Sequence, residues 1–200
     1  MKTIAFGSLA ACAAMSCVAH ADFIAIGGAG PWGSFTGGLT YTYIAGNLGT
    51  LQVDLTNTSS PGNGGFLTGF LFNIQSVDAG RAGVLTSGTN LNFIGVQNDS
   101  GSPFGTFDAG AALGGSWLGG GNPNNGIAIG GSGTFMFNIT ASDASGLSAS
   151  SFVTNGAPWG FVVRFRGFNN GESDKVPGVP APGALALAGL GALAAGRRRR

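Results

Sequence analysis

A chain of 200 residues with 39 Gly, two Cys, one His and only 8% charged side chains falls far below the roughly 25% charge of an ordinary globular domain. That composition excludes a typical cytosolic enzyme, a coiled coil and a basic nucleic-acid binder, and the absence of a strict three-residue Gly period excludes collagen. The formal net charge of +1 averages three unlike segments and describes none of them.

Residues 1–21 read as a secretory signal peptide. Lys2 supplies a positive start, Ile4 to Val18 is mostly small and apolar, and Ala19-His20-Ala21 gives a small-x-small exit. Signal peptidase is the implied partner, Ala19 and Ala21 flank its recognition, and Asp22 becomes the first mature residue. Cleavage there discards Cys12, Cys17 and His20. The exported chain then has no disulfide framework and must be held by a hydrophobic core.

Residues 22–175 form the expected domain, long enough to bury most of its surface without a covalent staple. Its acids are Asp22, Asp54, Asp78, Asp99, Asp108, Asp143, Glu172 and Asp174; its bases are Arg81, Arg164, Arg166 and Lys175. The domain is net acidic and offers no basic face for nucleic-acid phosphates.

Period-2 alternation is its clearest pattern. Phe23–Ile26 is a first, short strand candidate. Leu39, Tyr41 and Tyr43 alternate with Thr40 and Thr42, and Leu51, Val53 and Leu55 with Gln52, Asp54 and Thr56. Leu67–Ile74 and Leu91–Val96 are less regular. Phe135, Phe137 and Ile139 alternate with Thr134, Met136 and Asn138, and Phe161, Val163 and Phe165 with Val162, Arg164 and Arg166. Each alternating run predicts a strand with one buried and one wet face. Turn clusters at 59–65, 119–126 and 169–171 separate them. Seven to nine such strands predict an all-β fold, a single Gly-rich antiparallel β-sandwich. The runs 70–74 (FLFNI) and 135–139 (FMFNI) nearly repeat and read as core strands, while 141–151 has room for a short helical turn.

The chemistry is mostly absent. A Ser-His-Asp triad needs an imidazole, zinc needs Cys or His in most sites, and the mature chain is expected to hold neither. No catalytic residue, metal or cofactor is assigned. Gly28, Gly30 and Gly33 match a dinucleotide fingerprint, with Asp54 about 20 residues on, but strand follows where that fold needs a helix. The oxygen-rich run 169–174 lacks the spacing of an EF-hand and reads as a polar spacer. Sequons begin at Asn57, Asn98 and Asn138. Trp32 and Trp159 each sit in Pro-Trp-Gly, and Trp117 lies just before three glycines. Indoles in loops stack on sugar rings or plug the ends of a core. A carbohydrate-binding module using Trp32, Trp117 or Trp159 on extracellular polysaccharide is therefore the alternative to a non-enzymatic surface protein. A glycosidase is the weaker alternative, since it requires two acids to converge.

The tail has three parts. Residues 176–183 carry Pro177, Pro180 and Pro182 and cannot be helical. Residues 184–196 are uninterrupted small and apolar side chains, shorter than the about 20 residues of a stable span. Arg197, Arg198, Arg199 and Arg200 follow, which the positive-inside rule puts on the cytoplasmic side. Val179-Pro180-Ala181-Pro182, a short Leu/Ala/Gly helix and terminal arginines together resemble the PEP-CTERM sorting signal of Gram-negative bacteria. The resemblance covers about 22 residues, and Ala181 stands where that signal usually has Glu. Residues 161–176 also resemble the last strand and polar spacer that many such proteins carry before the tail. The resemblance implies recognition by an exosortase, a membrane cysteine protease or transpeptidase acting near the Pro-x-Pro. It implies export, transient anchoring by the helix, and a final place at the cell surface or outside the cell.

Overall fold

The computed structural model describes residues 21–181. The rest of the expected leader, including Ala19, lies outside the described residues, as do Pro182, the apolar segment and Arg197–Arg200.

Among the described residues, eleven strands build the fold: β1 (Ala21–Ala29), β2 (Ser34–Ala45), β3 (Leu48–Asn57), β4 (Gly64–Phe72), β5 (Ala82–Gly88), β6 (Phe93–Ser100), β7 (Thr106–Leu113), β8 (Ser132–Thr140), β9 (Phe161–Phe168), β10 (Ser173–Pro177) and β11 (Val179–Pro180). The fold is all-β. One sheet has the order β11-β1-β2-β3-β8-β5 and the other β10-β9-β4-β7-β6. Every pairing within them is antiparallel.

Alternation decides which face of each strand turns inward. Leu39 and Tyr41 on β2, Leu51, Val53 and Leu55 on β3, and Phe135, Phe137 and Ile139 on β8 are all buried, and their polar neighbours are not. The two near-repeated runs lie in opposite sheets and meet. Phe70 of β4 packs on Phe135 of β8 with ring centroids 5.0 Å apart, and Phe72 meets Phe137 edge to face at 5.0 Å. Phe161 of β9 stacks on Phe70 at 5.9 Å. Each such pair adds about 0.5–1.5 kcal/mol beyond the area it buries. The two strands fill the same core layer from opposite sides.

β9 departs from expectation. Its second face was expected to be wet, but Val162 is 0% and Arg164 9% exposed. The reason is a second apolar cluster of Leu71, Val96, Phe107, Ala112, Trp117 and Val162, with Phe104 and Trp159 packed against it. Loops therefore cover the outer face of the β10-β9-β4-β7-β6 sheet. β5 and β7 gave no clear alternation: β7 reads Thr-Phe-Asp-Ala-Gly-Ala-Ala-Leu, and small residues carry little period-2 contrast. The stretch 141–151 holds one 3₁₀ turn, Ala144–Gly146, and most of a second, Ala149–Phe152.

The boundary expected at Lys175 also moves. Residues 176–181, read as the start of a linker, belong to the folded unit. Val176 is fully buried, and the chain stays in the sheets through Pro180.

Candidate functional site: the C-terminal strap

The segment Ser173–Ala181 borders both sheets in turn. β10 lies antiparallel to β9, with Asp174 opposite Phe165, Lys175 opposite Arg164 and Val176 opposite Val163. Gly178 then crosses between sheets and donates its N–H to the Phe161 carbonyl at 2.9 Å. A Cβ on Gly178 would stand 2.9 Å from Phe161 and 3.1 Å from Phe35, so the crossing leaves no room for a side chain. Val179 and Pro180 pair with Gly27 and Ile26 of β1. Ala181 donates its N–H to Ala25 at 2.8 Å.

That bond fixes the ladder. Hydrogen-bonded and non-hydrogen-bonded pairs alternate along antiparallel strands. Ala181/Ala25 and Val179/Gly27 are then bonded pairs, and Pro180 falls opposite Ile26 at a non-bonded one. The missing Pro180 N–H would have faced away from β1, toward the sheet edge. Proline is tolerated there, and it blunts the edge against another strand. Pro177 and Pro180, which read as linker, are edge residues.

The seat for this strap is the β1–β2 hairpin. The buried Asp174 carboxylate accepts the N–H groups of Trp32 and Gly33, both at 3.0 Å. A Cβ on Gly28 would overlap the Pro177 carbonyl and stand 2.8 Å from Val176. One on Gly30 would stand 2.5 Å from Asp174, and one on Gly33 2.5 Å from Phe165. The formal dinucleotide fingerprint is thus a strand–turn–strand, and its glycines clear space for the strap and for β9.

Of the three indoles, Trp32 is 41% exposed in that hairpin turn. Its backbone is pinned by Asp174 and by Asn63, whose amide donates to the Trp32 carbonyl at 3.0 Å. Trp159 is partly buried and meets Phe104 edge to face at 6.2 Å. Trp117 is 1% exposed, which removes it from any sugar-stacking surface. It lies in the outer cluster that Trp159 packs against, whereas Trp32 sits beside the strap.

Basic residues act as loop pins. Arg164 donates to the Trp117 carbonyl, Arg166 to Gly120 at 2.7 Å and Gly121 at 3.3 Å, and Lys175 to Ser102. Burial, then the nearby Arg166 charge, lowers the Arg164 pKa; burial, then Arg164, lowers that of Lys175. Nothing in the sequence separated these three from ordinary surface charges.

Several of the acids accept hydrogen bonds within the fold. Asp22 accepts the Ala149 N–H at 2.8 Å, Asp54 bonds Thr134 at 2.6 Å and Gln52 at 2.7 Å, and Asp108 bonds Arg81 at 2.9 Å. The Asp143 charge acts on Asp78 as a minor raising influence. Hydrogen bonds from Gly80 and Ser142 hold Asp78 below the usual carboxylate range, and bonds from Ser76 and Val77 do the same for Asp143. A glycosidic general acid needs the opposite shift. Among the described residues, no group of three or more His, Cys, Asp or Glu could hold a metal ion. A cleft of about 280 Å³ is lined by Leu91, Asn92, Ile94, Leu113, Gly114, Gly121 and Asn125, none ionisable.

Residues 178–200 match the family model of the PEP-CTERM protein-sorting motif. No curated protein and no solved structure matches the chain. The match begins at Gly178, the residue where the strap crosses between sheets. It supports an exported, exosortase-targeted protein of the cell surface or extracellular space.

Proposed function

Since this chain carries a PEP-CTERM sorting motif at its end, we propose that it is a non-enzymatic surface or matrix protein whose tail is removed by an exosortase. Signal peptidase frees Asp22, and the apolar tail holds the chain at the membrane until processing. The β-sandwich then remains as the mature product. The observation that carries this reading is the direct join between a packed two-sheet domain and the motif. Low charge and a Gly/Ser/Thr/Asn-rich surface suit a hydrated polysaccharide matrix.

The test is intact mass of protein recovered from cells, membranes and medium, with and without an exosortase. The expected product begins at Asp22 and lacks Arg200 only where the exosortase is present. A chain that keeps Arg200 in both hosts sinks the processing claim and leaves a plain anchored domain.

One observation favours a second reading, polysaccharide binding. Trp32 offers an exposed indole on a backbone held by Asp174 and Asn63, and a rigid aromatic presents contact area at low entropic cost. Retention on the host's polysaccharide that Trp32→Ala abolishes, with the melting temperature unchanged, is the expected result.

A further inference from the structure

We infer that the folded domain sets the N-terminal limit of tail removal: the scissile bond lies on the C-terminal side of Ala181, and the strap stays with the product. This rests on the proposed exosortase processing. Processing breaks a backbone amide; the acyl side, which keeps the domain, passes to water or to an acceptor amine, and the departing amine carries the tail.

Proteases that take substrates as extended strands need a backbone edge free to pair. From Ser173 to Ala181 the strap's inner edge is already paired, and Pro180 interrupts the outer one. β9 pairs with Ser173–Pro177, Phe161 holds the Gly178 N–H, and β1 pairs with Val179 and Pro180 and accepts the Ala181 N–H. Cutting between Val176 and Gly178 would require drawing a fully buried Val176 from the core. Cutting between Gly178 and Ala181 would require peeling β11 from β1. A bond beyond Ala181 is broken without parting any of these contacts. β1, through Ala25, Ile26 and Gly27, is thus a positioning element for the reaction: it holds Val179, Pro180 and Ala181 in the sheet.

The test compares three full-length chains in an exosortase-bearing host: native, Val179→Cys, and Gly27→Cys with Val179→Cys. Residues 27 and 179 face each other in the ladder. Bonded antiparallel pairs have Cα atoms about 5.5 Å apart, within disulfide reach. Loss of free thiol confirms the crosslink, and intact mass reads the C-terminus. The expected native product ends at Ala181 or later. The crosslinked chain yields the same C-terminus to the same extent as the single variant. A product ending before Ala181 overturns the inference. So does a crosslinked chain that stays unprocessed while Val179→Cys is processed. A native chain that keeps Arg200 overturns the processing reading itself, a different result from an upstream cut.

Discussion

Gly28 lies against Pro177 so closely that a Cβ on the glycine would overlap the proline's carbonyl oxygen, with the Val176 side chain 2.8 Å and the Phe35 ring 2.9 Å away. One residue belongs to the first strand and the other to the last segment of the domain, so the contact joins the two ends of the folded chain. The blocking atom is backbone, which cannot rotate aside. Gly28→Ala should therefore displace the strap and cost about 1–3 kcal/mol, as overpacking does. Urea unfolding of the two chains checks it. Gly146→Ala, with nothing within 4 Å of its Cβ, is the control and should stay within about 0.5 kcal/mol of the parent.

How much of this was legible in the sequence depends on what each residue faces. Alternation on β2, β3 and β8 identified their buried side chains, because apolar and polar residues face different media there. The same pattern misled for β9, where loops cover the second face and Val162 is as dry as Val163. The strap was illegible for a related reason. Pro177, Pro180 and Gly178 are the composition of a linker, and only their partners in β9 and β1 reveal an edge. The Gly28/Gly30/Gly33 spacing showed that something approaches closely, but not that it is the chain's own C-terminal segment. The sorting motif was readable because its signal is composition along the chain and needs no tertiary partner.

Moving the boundary from Lys175 to Ala181 has a measurable consequence. A domain ending at Lys175 loses fully buried Val176, the Gly178 crossing and the β11 pairing. Burying a Val is worth about 1.5–3 kcal/mol, and each hydrogen bond about 1 kcal/mol net. Residues 22–175 should thus be less stable than residues 22–181 by about 3 kcal/mol or more. Denaturant titration of both purified domains reads this directly. Equal midpoints would return the segment to the status of a linker.

The indoles should divide by position. Trp117 is 1% exposed and packs over Leu71, Val96 and Val162. Its truncation to Ala should cost about 3–5 kcal/mol, the range for large buried aromatics. Trp32→Ala removes a side chain that is 41% exposed and leaves its backbone bonds in place. It should shift stability by less than about 1 kcal/mol. Thermal melts of the two variants separate these outcomes, and a large loss for Trp32→Ala would assign that ring to packing rather than to a ligand.

Tyr41 supplies a pH dependence with a defined sign. Its ring is 2% exposed, and its hydroxyl donates to the Ala144 carbonyl at 2.7 Å. Burial, with smaller contributions from Tyr43 and Asp143, pushes its pKa up to about 12. The fold thus binds a proton that the unfolded chain, with a tyrosine pKa near 10, releases earlier. Stability from this group is complete below pH 10 and falls as pH rises toward 12, because the unfolded state alone ionises in that window. A shift of this size corresponds to roughly 2–3 kcal/mol, at about 1.4 kcal/mol per unit. Urea midpoints measured from pH 8 to 12 should fall over the upper two units in the native domain. Tyr41→Phe should weaken that alkaline limb, at the cost of the hydrogen bond to Ala144. A native domain whose midpoint stays flat to pH 12 would show that the Tyr41 hydroxyl is not sealed from water.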